Sequence, residues 1–161
     1  MTEAGPAVRA AAPHERRALG GLLGALLDHH AHGPRYDVDP AAGDRDASLG
    51  SLLAPYLDHR DGRVFVVDGV EGPAGLISAA IARREAPFRE RTRGHIEHLI
   101  VLPAARRAGV GRALVDRAVA WFRESGVARV ELQVDFANPE GQAFWESLGF
   151  SDAARVLERR L

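Results

Sequence analysis

The chain has 161 residues and a formal net charge of -1, with 46% hydrophobic and 27% charged residues, no cysteine, and arginine for all 21 of its basic residues. That length and composition describe one ordinary globular domain, here residues 1–161, whose core buries roughly two thirds of the unfolded surface without disulfides or structural metal. The missing cysteine excludes thiol nucleophiles, iron–sulfur clusters and cysteine zinc sites, the missing lysine excludes Schiff-base chemistry, and the balanced charge argues against a nucleic-acid partner.

Val8–Ala12 reads as a short strand, and Pro13 as the first turn of a helix that runs to about His29. Within it Leu19, Leu22, Leu23, Leu26 and Leu27 recur at i, i+3, i+4, i+7 and i+8, one apolar face of an amphipathic helix. Arg16 and Arg17 before this run imitate an export signal. Ten apolar residues are too few for a bilayer, which takes about 20, so the reading is a cytoplasmic protein with no membrane partner. Residues 31–45 carry turn formers and read as a loop. A second helical stripe, Leu49, Leu52, Leu53, Tyr56 and Leu57, contains Pro55, which is expected to kink or split it.

From residue 63 the period becomes that of strands: Val64–Val67, a turn around Asp68-Gly69 and Gly72-Pro73, and a returning strand Gly75–Arg83. The polar residues 84–94 read as a loop. His95–Val101 is a third central strand, followed by a glycine-rich turn and a helix from about Gly111 to Ser125 that Gly126 ends. Val127–Val134 alternates, with Val130, Leu132 and Val134 on one face. Asn138-Pro139 is a strong helix start, N-cap then proline, and Gly149 closes that helix. Val156–Leu161 is expected to form a last strand.

Chemistry concentrates in I-E-H-L-I-V-L-P-A-A-R-R-A-G-V-G-R-A-L, residues 96–114. Strand, tight turn and helix follow one another, with Arg106, Gly109 and Gly111 spaced R-x-x-G-x-G. Glycines let a ligand approach the backbone, and the first N–H groups of a helix lack internal acceptors. Together they suit a pyrophosphate, with Arg106, Arg107 and Arg112 adding charged donors. Leucine at position 114 breaks the dinucleotide G-x-G-x-x-G pattern, and a chain without lysine has no Walker A loop.

About 27 residues later comes N-P-E-G-Q-A-F-W-E-S-L-G-F, residues 138–150. The two motifs, in this order and spacing, resemble the GNAT superfamily of N-acetyltransferases. The resemblance is detailed over residues 95–150 and loose before them. It implies an α/β (α+β) fold: a mixed central sheet of about six to seven strands flanked by about four helices, with the central strands 95–101 and 127–134 splayed apart. It implies acetyl-CoA as cosubstrate, with its pyrophosphate on the turn formed by Arg106, Arg107, Ala108, Gly109, Val110, Gly111 and Arg112. The pantetheine arm would pair with main-chain groups of Leu99, Ile100 and Val101, and Asn138, Phe144 and Trp145 would flank it. GNAT domains are often dimers, so a homodimer is compatible. Where the family commonly has tyrosine as the acid for the leaving thiolate, this chain has Trp145. Its indole N–H donates a hydrogen bond but is not a usable acid, and it reads as packing against the cofactor.

An amine attacks a thioester only when neutral, so a base on the acceptor side assists. The resemblance points to Glu97, and His98 is the alternative. Strand alternation is expected to point the two to opposite faces. The group Asp28, His29, His30 and His32 lacks a metal-binding arrangement and reads as a helix end, so no metal is expected; Asp28, Asp37 and Asp39 would draw a cationic amine. The reaction that follows is acetyl transfer to a primary amine by direct attack in a ternary complex, most simply on a small molecule. A protein amino terminus as acceptor and an inactive CoA-binding regulatory module are the alternatives.

Overall fold

Apolar runs between residues 62 and 101 build the middle of a five-stranded sheet in the computed structural model, which describes residues 5–30, 43–87, 89–157 and 159. The strands are β1 (Val8–Ala10), β2 (Gly62–Gly69), β3 (Gly72–Arg83), β4 (Thr92–Val101) and β5 (Val130–Leu132), and they lie in the order β1-β2-β3-β4-β5. The first three pairings are antiparallel; β4 and β5 run parallel.

Two helical layers cover the two faces. On one side lie α1 (Arg16–His30), α2 (Arg45–Ser51) and α3 (Ala54–Leu57), and on the other α4 (Val110–Glu124) and α5 (Pro139–Ser147). Alternation along the strands sends Val64, Val66, Leu76 and Ile100 to a cluster with Leu19, Leu22, Leu23, Leu49 and Leu53. Phe65, Ile77, Ala79 and Ile96 go to the other, with Leu114, Val115, Trp121 and Phe122. Phe65 and Phe122 are at most 2% exposed, and full burial of such a side chain is worth about 1.5–3 kcal/mol.

The helix boundaries follow local chemistry. Pro55 splits the second apolar stripe into α2 and α3, where it occupies the first turn of the latter. Asp44 caps α2 by accepting from the Ala47 N–H. At the end of α4, Gly126 turns left-handed (φ +74) and the Val127 and Gly126 N–H groups bond back to Phe122 and Arg123 carbonyls at 2.9 and 3.0 Å, a Schellman closure.

Two expectations need correction. Among the described residues there are five strands, not six or seven. Of the strand expected over Val156–Leu161, residues 158, 160 and 161 lie outside the described residues, while Val156 and Leu157 are exposed and in no strand. The strand expected over 127–134 is reduced to Val130–Leu132. Asp135 ends it by accepting from the Ala137 N–H at 2.9 Å, while the Gln142 amide donates to the carbonyls of Asp135 and Phe136. That turn leads the chain away from β4.

Candidate active site

β4 and β5 pair only through Gly94, His95 and Ile96, matched with Val130, Glu131 and Leu132. Beyond Ile96 the two strands part, and among the described residues no strand lies beside the β4 main chain from Glu97 to Val101 on that side. A wedge therefore opens at the β5 end of the described sheet, with a row of backbone donors and acceptors along one wall.

Glu97 sits where this wedge begins, and it is the extra residue of a β-bulge. Across β3 and β4, Ser78 pairs with His98 and Ala79 with Ile96, leaving Glu97 without a partner. The bulge resets alternation. Ile96 belongs to the α4 cluster, whereas Ile100 belongs to the α1 cluster and Leu99 and Val101 pack toward α4. His98 consequently shares the α1–α3 face with Glu97. This overturns the expectation of opposite faces, because the extra residue shifts the parity by one.

A polar group collects there. His95 Nε2–H donates to a Glu97 carboxylate oxygen at 2.9 Å. The His98 ring stands edge-on to Tyr56 of α3, centroids 6.0 Å apart. Burial pushes the His98 imidazole below its ordinary value, against the upward pull of the nearby Glu97. Tyr56 moves up, first through burial and then through Glu97. Ser78 of β3 completes the group from inside the core, with its Oγ 2.7 Å from His98 Nδ1. His95, Tyr56 and Ser78 are not among the candidate site residues of the sequence. A serine within the apolar run 75–82, and a histidine two residues before Glu97, were the available signals.

The turn after β4 has the shape an anion requires. Arg107 has φ +64 and Gly109 φ +77, and Gly109 is the N-cap of α4. The Ala113 N–H is the first to bond within the helix, to the Gly109 carbonyl at 3.0 Å. The N–H groups of Val110, Gly111 and Arg112 thus lie at the open, positive end. Arg106 Nε donates to the Val101 carbonyl at 3.1 Å and fastens the turn to the end of β4. Arg107 is almost fully exposed, 3.9 Å from Glu140. The Val110 side chain is buried in the core, which leaves its main chain for a ligand. Ala108, Gly109 and Arg112 line an open depression with Gly5, Pro6, Ala113 and Asp116.

Gly111 serves a different purpose from Gly109. A Cβ there would stand 3.3 Å from the Phe144 ring, so its absence lets α5 approach α4. Phe144 and Trp145 pack edge-to-face at 5.2 Å, and Trp145 does the same with Phe150 at 5.1 Å. Asn138 caps α5 by accepting from the Gly141 N–H at 2.9 Å. Elsewhere, Asp28 is paired with Arg45, which lowers its carboxyl below the usual range. The side chains of His29 and His30, and all of His32, Asp37 and Asp39, lie outside the described residues.

The model of the acetyltransferase (GNAT) family matches residues 28–150. A mycothiol acetyltransferase of Beutenbergia cavernae is 46% identical over 61 residues, which are 38% of this chain and 20% of that protein. A [ribosomal protein bS18]-alanine N-acetyltransferase of Escherichia coli K12 is 35% identical over 75 residues, 47% of this chain and 49% of its own length. The chain thus spans from a fifth to about half of these curated relatives. Among solved structures, the aminoglycoside N-acetyltransferase AAC(6')-Iy, determined with CoA, superposes with a TM-score of 0.73 at 19% identity, covering 100% of this chain and 99% of that one. At that identity the likeness is one of fold.

Proposed function

The chain belongs to the GNAT acetyltransferase family, and within it we propose an enzyme that moves an acetyl group from acetyl-CoA to the primary amine of a small molecule. The observation that carries this reading is the wedge between β4 and β5, where no described strand pairs with the β4 main chain from Glu97 to Val101 and that edge leads straight into the Arg106–Arg112 turn. The residues fit the cosubstrate: an extended arm adds to the Leu99–Val101 edge as a strand would, and its pyrophosphate meets the N–H groups of Val110 to Arg112 and the charge of Arg106, Arg107 and Arg112. Phe144 and Trp145 close the far side. The whole of residues 1–161 acts as one domain, in the cytoplasm.

Direct attack fits the residues available. The amine nitrogen forms a bond to the thioester carbonyl carbon, the carbon–sulfur bond breaks, and the amine proton passes to Glu97, directly or through water. Glu97 suits the role because it lies at the mouth of the wedge, is half-exposed, and is oriented by His95. The leaving thiolate takes its proton from water, since Trp145 offers no acid. The bS18-alanine relative favours one second reading, a protein amino terminus as acceptor.

Release of free thiol from acetyl-CoA, measured over a panel of small amines and of peptides with free amino termini, tests the proposal. Turnover is expected on at least one small amine, and Glu97→Gln is expected to lower kcat by about 10²-fold while acetyl-CoA affinity stays nearly constant. Turnover on peptides alone moves the acceptor class. Tight CoA binding without turnover on any amine makes the chain a binding module instead.

A further inference from the structure

Ser78 is the polar residue that the described core buries completely, 0% exposed, in a stretch of β3 otherwise made of glycine, alanine, leucine and isoleucine. A hydroxyl in that position is tolerated only if its hydrogen bonds are made. Both partners belong to His98. The His98 backbone N–H, beside the bulge, donates to Ser78 Oγ at 3.2 Å, and the same Oγ lies 2.7 Å from the ring nitrogen Nδ1.

These two contacts decide where the ring hydrogen resides. Were it on Nδ1, that N–H would donate to Oγ, and the Ser78 hydrogen would have no acceptor among the described residues. With Ser78 donating to Nδ1, the oxygen accepts once and donates once, and every buried group is satisfied. The neutral imidazole then carries its hydrogen on Nε2. Among the described residues no group takes up Nε2. The titratable neighbours are Glu97 and His95 on the same strand and Tyr56 from α3.

We infer that Ser78 is a positioning residue that fixes His98 as the Nε2–H tautomer, so that His98 donates a hydrogen bond to an oxygen of the acceptor molecule and does not act as a base. The inference rests on the acetyl-transfer reading for its role, though not for its tautomer. His98 projects from the α1–α3 face of the sheet, whereas an arm along the β4 edge lies in the plane of the sheet; the molecule that meets Nε2 is therefore the acceptor. Glu97 and His98 then form an adjacent acceptor and donor. That pair matches an amine bearing a hydroxyl, ether or carbonyl oxygen close to the nitrogen.

Nitrogen-15 spectra of the imidazoles in the full-length protein, with the His98 signals assigned by their loss in His98→Gln, read the tautomer directly. The expected result is a protonated Nε2 and an unprotonated, hydrogen-bonded Nδ1, shifting toward a mixture in Ser78→Ala. A protonated Nδ1 in the wild type overturns the inference. In kinetics with one good amine, Ser78→Ala is expected to raise the acceptor KM by about threefold to tenfold, the loss expected from one neutral hydrogen bond. Acetyl-CoA affinity should be unchanged, and Ser78→Thr, which restores the hydroxyl, should recover part of the loss. His98→Gln, which keeps an amide donor, should retain more activity than His98→Leu without moving the pH–rate profile. Equal loss in both variants with a displaced profile makes His98 a base and refutes the donor role. Because the spectrum needs no turnover, a wrong tautomer and a wrong reaction fail separately.

Discussion

At the scale of single residues, the two glycines of the turn do different physical work and are expected to fail differently. Gly109 has a positive φ and open space around the missing Cβ. Gly109→Ala therefore strains the backbone by about 1–2 kcal/mol and alters the direction of the first α4 N–H groups. CoA affinity should fall at least about tenfold, roughly 1.4 kcal/mol, in a protein that still folds. Gly111→Ala has ordinary helical backbone but presses on Phe144, so its loss of affinity should come with lowered stability. Titration calorimetry beside thermal unfolding separates the two, and unchanged CoA affinity in both folded variants removes the phosphate cradle. Trp145 is held between Phe144 and Phe150 by edge-to-face packing. Trp145→Phe should keep most of the activity, whereas Trp145→Ala, at a partly buried site, should cost up to about 3 kcal/mol of stability or cofactor binding. A large loss of kcat in Trp145→Phe alone shows that the indole N–H takes part in the reaction.

At the scale of elements, the entry into α1 depends on one carboxylate. Glu15 accepts both guanidinium N–H groups of Arg9 at 2.7 and 2.9 Å and the Ala12 backbone N–H at 2.7 Å, while Arg9 also grips Asp68 on β2. These bonds, Arg9 first, hold the Glu15 carboxyl at about 2, against an ordinary value of 4.5. A carboxyl whose value is lowered on folding stabilises the fold above its unfolded value and loses that contribution as the pH falls through the folded one. Stability should accordingly decline between about pH 5 and pH 2. Glu15→Gln should be less stable by about 1–2 kcal/mol at pH 7 and show a flatter decline. Urea unfolding at several pH values checks this; parallel curves for variant and wild type sink the assignment.

At the scale of the whole molecule, each face of the sheet carries its own apolar cluster, and the wedge opens between β4 and β5 at one end of the described sheet. A ligand strand in the wedge would replace the missing pairing. Acetyl-CoA at a hundred times its Kd adds about 2.7 kcal/mol to the folded state, or about 5–10 °C in Tm for a chain of this size. Thermal unfolding with and without acetyl-CoA measures it. A Tm that does not move with acetyl-CoA concentration removes the wedge as the binding site.

What the sequence determined by itself was short-range. The R-x-x-G-x-G turn, the Asn138-Pro139 helix start, the split at Pro55 and the period changes at residue 63 all depend on neighbours within a few positions. They led to the fold class, the family and the turn proposed to hold the pyrophosphate. Tertiary structure decided which side chains meet. A bulge is a property of two paired strands, so nothing in His95–Val101 alone reveals that Glu97 is the unpaired residue and that His98 shares its face. The clamp between Ser78 and His98 joins positions 20 residues apart, and only the register of β3 on β4 brings them together. The length of β5 was settled the same way. Val127–Val134 alternates well enough for a full strand, but the Asp135 turn and its hold by Gln142 from α5 draw the chain away from β4 after three residues, and that departure opens the wedge.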